Sequence, residues 1–487
     1  MLFSIKATRL AALAAWLGLA FSRSTFNPEV EGKDPSHVIT RNVCIIGGGA
    51  SGTYAAVRLR QLGHSVILIE RDDHLGGHTR TYYDPAGRPI DYGVWVYSNN
   101  TELFDFFGHF NIPLTGLDFT RITQGTQRFD LRTGQRVPPP SGDLVDAMTR
   151  YAQILLQHPY LSDGWDLPDP VPEDLLLPFH AFIEKYNLGP AVEILTLYVQ
   201  GLGDILHYPA VYILKYFSLE VALGIQGGFS TSASRANQEL YSAARQELDG
   251  DVLLSSTVLG MDRSYSDMQR ILVQTPSGKK LIEAEKIIVT IPPLLRSLQN
   301  FDLDSREESI FGQFDNSYYY PAVVDIPGIP NGVQIVNRGA DTPYNVPVLP
   351  GTYVFTPSGI QDLFLAFFGA GDVNMTENQV RETICDNALQ LRKAGFDIGE
   401  PKILAYANHS PFQLFVSAEA IEDGFYRDLY SLQGHRNTYY TGAAWHAHSS
   451  TALWKFTERL LQERVMNDLN CEESGTCPGD PEDPEDP

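Results

Sequence analysis

Gly47, Gly49 and Gly52 follow directly on the apolar run Cys44-Ile45-Ile46 and fill a G-x-G-x-x-G pattern. After a buried strand, that spacing makes a turn that receives a pyrophosphate. The first glycine permits the tight turn, the second lets phosphate reach the backbone, and the third lets the next helix pack close to the strand. Such a helix aims its unpaired N–H groups and the positive end of its dipole at the phosphates. A second apolar run, Val66 to Ile69, ends at Glu70. It lies roughly 20 residues past the turn, where a carboxylate accepts hydrogen bonds from a ribose. Glycine turns alone are common without a ligand; strand, turn, helix, strand and acid together point to a dinucleotide. Gly76 and Gly77 come soon after the acid, before His78 and Thr79. They read as another backbone segment against the same cofactor. The sequence has no H-x-x-E-H, no G-x-S-x-G and no cysteine–histidine metal spacing. No metal site is expected, and the hard chemistry falls to the cofactor.

Holding these residues requires a parallel sheet and a large core. The chain has 487 residues, 43% of them hydrophobic, enough for two or more domains. Its formal net charge of -23 argues against nucleic acid and anionic membrane surfaces as partners. Lys6 and Arg9 precede an apolar run from Leu10 to Phe21, and Ser22 closes a small-residue site. The run is about a dozen residues, the length of a signal-peptide core and too short for a stable membrane span. We therefore expect a signal peptide over 1–22, a linker over 23–40, and passage through the secretory pathway. An uncleaved tilted anchor is the alternative. Asn99, Asn374 and Asn408 each open a glycosylation sequon. Cys471 and Cys477 flank a short loop and are disulfide candidates in an oxidising compartment; two separate thiols are the alternative. The acidic, proline-rich tail 471–487 is expected to be disordered.

The middle of the chain reads as two interleaved units. Residues 100–225 look mainly helical, with Leu144, Ala147, Met148, Tyr151, Ile154 and Leu155 at helical spacing. Val252-Leu253-Leu254 and Val258 precede ILVQTPSGKKLIEAEKIIVTIPP, read as strand, Ser277-Gly278 turn, strand, and a final strong strand. Residues 299–429 alternate short apolar strands with turns, clearest at Val333 to Val336, Tyr353 to Phe355 and Leu363 to Phe368. Tyr318-Tyr319-Tyr320 and Phe412 to Phe415 stand out; either group faces a cofactor or is structural. A last segment runs from Tyr439 through Gly442 and a loop into a helix starting near Ser450.

At LGGHT (Leu75 to Thr79) and DYGVW (Asp91 to Trp95) the chain resembles the flavin amine oxidase superfamily. The resemblance implies an α/β chain. A Rossmann-like FAD-binding domain of the GR2, amine oxidase type (41–99, 226–298 and 430–470) would carry an inserted substrate domain of mixed sheet plus helices (100–225 and 299–429). It implies FAD as cofactor, held by Gly47, Gly49, Gly52, Glu70, Gly76, Gly77, His78, Thr79 and Gly93. It further implies adenine contacts from the Val258 backbone, and a helix N-terminus at Gly442 and Ser450 facing the flavin N1–O2 edge. The superfamily has arginine where this chain has His78, and Ala-Gly-Glu where it has Thr441-Gly442-Ala443. Trp445, His446 and His448 lie in the loop that should border the isoalloxazine. With Tyr320 they are the candidates for catalysis. GGGASGTYAAVRL, LGGHT and DYGVWVY more narrowly resemble the fungal beta-cyclopiazonate dehydrogenase family. That resemblance implies oxidative tailoring or cyclisation of an apolar or prenylated secondary metabolite by a monomer or weak oligomer. LPFHAFIEKYNL and QGHRNTYYTG also resemble a bacterial polyunsaturated fatty acid isomerase. A redox-neutral isomerase and a non-turning-over flavin carrier therefore remain competing readings.

Overall fold

The computed structural model describes residues 37–117, 125–265 and 267–474. The leader, most of the linker, and Cys477 with the end of the tail lie outside them. Cys471 falls in the final helix, Met466–Ser474.

The apolar runs read from the sequence become the buried centre of a seven-stranded sheet. Val38–Ile46 pairs in parallel with Val66–Ile69 on one side and with Gly278–Val289 on the other. Val252–Leu253 and Thr438–Tyr440 extend the parallel part at its two flanks. Cys44 and Ile45 are completely buried, which is why the strand is a continuous apolar run and not an alternating one. The free thiol of Cys44 is a core side chain, its ionisation suppressed by burial. Gln269–Thr275 hairpins onto Gly278–Val289, with Thr275 opposite Gly278. The two strands expected after that turn are thus one strand of 12 residues.

A second seven-stranded sheet orders the rest of the chain. Lys402–Tyr406, Tyr318–Asp325, Leu363–Gly371, Gly351–Pro357, Val333–Asn337, Gly125–Asp130 and Gln135–Arg136 lie side by side. Glu377–Leu389 covers one face, packing Val380, Ile384 and Ala388 on Phe355, Phe364 and Phe368. The other face looks toward the first sheet. Gly125–Asp130 and Leu114–Leu117 are strands within a stretch read as mainly helical; the first pairs in parallel with Val333–Asn337, far along the chain. The remaining helices of that stretch, from Leu144–Gln157 to Leu219–Gly227, bury their apolar faces in the largest core cluster. No helix among the described residues is long and apolar enough to cross a membrane.

One buried ion pair ties the end of strand Thr257–Asp262 to strand Thr438–Tyr440 in the first sheet. The Arg263 side chain is fully buried and donates from Nη1 and Nη2 to the Glu307 carboxylate at 2.7 and 2.8 Å. The Tyr440 hydroxyl donates to the same carboxylate at 2.7 Å, so the strand leading to the last cofactor loop hangs on it. Burial alone would raise the Glu307 carboxyl; the Arg263 guanidinium overrides it and holds it below the usual carboxylate range. Glu307→Ala leaves a buried guanidinium without its main partner and should cost about 3–5 kcal/mol in denaturant unfolding. Because the folded pKa is depressed, the wild-type pair stabilises fully above the ordinary carboxylate pKa. Its contribution is lost as pH falls through the Glu307 value, a slope the variant should lack.

Candidate active site

The two sheets enclose a cavity of about 1180 Å³. A single small-molecule pocket is typically about 300–1,000 Å³, so this one has room for a cofactor and a further molecule. Its outer part is built from the residues that opened the sequence reading. Gly47, Gly49, Ala50, Ser51, Gly76, Gly77, His78, Thr79, Gly93 and Glu70 all line it. Helix Ala50–Gln61 starts directly after Gly49, so its first N–H groups face the cavity. The Glu70 carboxylate accepts from the Gly48 N–H at 2.6 Å and the Asp72 N–H at 2.8 Å, bracing the glycine turn from the tip of the next strand. Gly77 has φ +55°, and a Cβ there would sit 2.9 Å from the Gly49 Cα. The two glycine segments are therefore pressed backbone to backbone. Gly52 lies behind the cavity wall, where a Cβ would meet the Gly47 carbonyl at 1.8 Å. It is a packing position and not a contact surface.

These residues suit a dinucleotide. The Ser51 hydroxyl is buried at the helix N-terminus with no partner among the described residues, where a phosphate oxygen would supply one. Arg80, two residues past His78, lines the same cavity and is ion-paired to Asp72 at 2.6 Å. The charge that His78 lacks thus stands two residues further on, just before strand Thr81–Tyr83. Val258 lines the cavity, but its carbonyl already accepts from the Asn300 amide at 2.9 Å, which leaves fewer backbone groups for an adenine. Thr441, Gly442, Ser449 and Ser450 line the opposite wall, where helix Ser450–Leu460 begins.

Deeper in, an aromatic cluster forms. The His78 ring stacks on His409 at 4.1 Å between centroids, and His448 stacks on Phe412 at 3.9 Å. Tyr319 tilts against Phe412 at 4.7 Å. Burial keeps all three imidazoles uncharged near neutral pH, lowering His78 to about 4, His448 to about 3, and His409 well below the ordinary value. The Nε2 atoms of His409 and His448 have no hydrogen-bond partner among the described residues.

Three of the four candidate catalytic residues stand elsewhere. Tyr320 points to the opposite face of its strand, packs against Phe368 and Tyr406 under the covering helix, and is 1% exposed. Strand alternation gives the cavity to Tyr319 instead. Trp445 is core, stacked on Tyr440, with its carbonyl accepting from the Tyr430 hydroxyl at 2.7 Å. His446 turns away from the cavity, donates to the Ser162 carbonyl at 3.1 Å and stands 3.4 Å from the Lys215 ammonium. Lys215 is buried too, and that burial lowers its pKa to about 7. Of the three loop candidates, only His448 faces the cavity. His409 was visible in the sequence only as the middle of a sequon, and nothing local marks it as a cavity residue.

A sequence model for flavin containing amine oxidoreductases matches residues 50–452. The chain belongs to that family. As a family member it binds FAD and is an oxidoreductase. It is 40% identical over 461 residues to the FAD-dependent oxidoreductase dbaF of Emericella nidulans, covering 93% of this chain and 95% of that protein. It is 34% identical to the beta-cyclopiazonate dehydrogenase of Aspergillus oryzae, over 93% of this chain and 99% of that one. Among solved structures, a fatty acid isomerase from P. acnes that produces CLA superposes with TM-score 0.72. Identity there is 19%, covering 87% of this chain and 98% of that one. Wild-type putrescine oxidase bound to putrescine superposes with TM-score 0.63 at 17% identity, over 88% and 100% of the two chains. These two show the shared fold. Within this flavoprotein, the Gly49 position is the strictest test of the cofactor cradle. Gly49→Asp puts a carboxylate beside the pyrophosphate site, and the purified protein should carry little or no FAD by visible absorbance. Full yellow occupancy would contradict the assignment.

Proposed function

We propose that this flavoenzyme removes a hydride from an electrically neutral, largely apolar organic molecule of the fungal secondary-metabolite kind, in an oxidative tailoring or cyclisation step. The observation that carries the reading is the division of charge along the cavity. Among the described residues its charged lining side chains are Glu70, Arg71, Asp72, Arg80 and Arg296, and all five come from the segments that build the first sheet. The lining residues of the second sheet and the helical insert carry no charge. They include Ile194, Leu197, Tyr216, Val354, Phe367 and Phe412. A protonated amine in such a place would be a buried cation without a carboxylate, which is strongly unfavourable. An apolar or aromatic molecule fits the same surface at no such cost.

When bound, FAD would supply the electron sink for the hydride. The chain's own contribution is orientation, exclusion of water and a site for the proton. Tyr319, Phe367 and Phe412 offer flat apolar surfaces against which a conjugated ring can stack. His448 presents an unpartnered imidazole nitrogen to the cavity. Neutral in the resting site, it can accept the proton that a substrate sheds as positive charge develops on losing hydride. The low pKa that burial imposes makes it a weak base, so the transfer relies on the acidity that the substrate gains as that charge develops.

Anaerobic mixing with candidate substrates tests the proposal. Neutral aromatic metabolites should bleach the flavin in a single turnover, and primary alkylamines of matched size should not. Bleaching by amines alone would contradict the reading. Turnover that leaves oxygen and other acceptors unconsumed would favour the redox-neutral isomerase. We also propose that the protein travels the secretory pathway. Asn99, Asn374 and Asn408 are all exposed, as glycan attachment requires. Endoglycosidase treatment of the protein from its native source should increase its gel mobility; no shift would count against that route.

A further inference from the structure

The neutral-substrate reading leaves open what fixes the molecule's orientation, and the second sheet offers an answer. Ile335 lies opposite Phe355 and Val336 opposite Val354 in the antiparallel pair of Val333–Asn337 with Gly351–Pro357. One position further along, Gln334 comes opposite Thr356. Both line the cavity, on the face that also carries Val354 and Phe367. The reverse face of these strands is mainly apolar, with Ile335, Phe355, Phe364 and Ala366 in the core beneath the covering helix and the polar side chain of Asn337 bonded to the Leu131 N–H and the Thr352 carbonyl. A polar cross-strand pair on the cavity side is therefore not required by the fold. Gln200 and the Asn408–Ser410 turn, polar groups on the same cavity wall, are committed. Gln200 accepts from the Tyr319 hydroxyl at 3.1 Å and donates to the Leu197 carbonyl at 2.9 Å. Asn408 accepts from the Ser410 N–H at 2.9 Å, and the Ser410 hydroxyl accepts from the Tyr319 N–H at 3.1 Å. Among the described residues no such hydrogen bond engages the Gln334 amide or the Thr356 hydroxyl, although Thr356 is only 4% exposed.

We propose that Gln334 and Thr356 are the polar anchor of the substrate site and together bind a carbonyl oxygen of an otherwise apolar molecule. An amide N–H and a hydroxyl on adjacent strands are two neutral donors, and a carbonyl oxygen has two lone pairs to receive them. Cross-strand neighbours stand close enough for both to reach one atom. The apolar remainder of the molecule lies along Val354, Phe367 and Leu197. This rests on the neutral-substrate reading and narrows it to apolar ketones, enones and quinone-like compounds.

Butyrophenone and butylbenzene share a skeleton and differ in one carbonyl, so titration calorimetry of the oxidised holoenzyme with the two isolates the anchor. Wild type should bind butyrophenone about tenfold more tightly than butylbenzene, the worth of one or two neutral hydrogen bonds. Gln334→Met and Thr356→Val keep volume and remove a donor. Each should shrink the preference severalfold while leaving butylbenzene affinity unchanged, and the double variant should abolish it. Visible flavin absorbance and far-ultraviolet circular dichroism report that the variants are folded; if one is not, the other single variant decides. A wild-type preference near one, or a preference that survives in the folded variants, overturns the anchor. 4-Phenylbutylamine tests the underlying reading separately: binding as tight as butylbenzene would sink the neutral-substrate site whatever the ketone does.

Discussion

The Gly47 carbonyl and the Gly52 Cα approach so closely that no side chain fits between them. The rest of the site depends on that contact. It brings helix Ala50–Gln61 down against the end of the central strand, and only then do the first N–H groups of the helix point into the cavity. The Glu70 carboxylate on the neighbouring strand locks the turn through the Gly48 N–H. The second glycine pair can then close against the first, because Gly49 and Gly77 both lack the atom that would hold them apart. A cradle built from backbone suits a phosphate because its donors are fixed before the ligand arrives.

Charge is divided between the two halves of the molecule. The first sheet and its loops supply every charged side chain on the described cavity wall; Glu70, Arg71, Asp72 and Arg80 cluster at the tip of the second strand, and Arg296 is bonded to the Asn316 side chain. The second sheet and the helices supply rings, aliphatic chains and a few neutral polar groups. Burial extends that neutrality to the histidines, since a charged imidazole stacked at 4.1 Å on another in an enclosed site would be both desolvated and repelled. One region is thus suited to an anionic cofactor and the other to an uncharged molecule. The relatedness to FAD-dependent oxidoreductases agrees with the first assignment; the second comes from this chain's own lining residues.

Local patterns were legible in the sequence and register was not. Cys44 to Ile46, the three glycines and Glu70 form one continuous stretch whose meaning depends on near neighbours, and each lies where the pattern requires. Tyr319 and Tyr320 are adjacent and chemically identical. Which one faces the cavity is set by pairing with Phe368 and Gly369, about fifty residues away, and a shift of one residue would exchange them. The same limit applies to the loop after Gly442. Three aromatic residues lie within four positions, but the partners Tyr440 and Lys215 draw Trp445 and His446 into the core and leave His448 exposed to the cavity. Gly125–Asp130 lies in a stretch that reads as mainly helical and is a strand because of a pairing partner, Val333–Asn337, remote in sequence. Gln334 is polar in a strand for a reason visible only when Thr356 stands opposite it.

The most direct test is a crystal structure of the purified flavoprotein. The account predicts FAD density running from Glu70, past the N–H groups at Gly49 and Ser51, with its ring system ending against the uncharged wall that holds Tyr319, Phe412 and His448. Density for the dinucleotide elsewhere, or a ring turned toward the cluster of Arg71, Asp72 and Arg80, would contradict it.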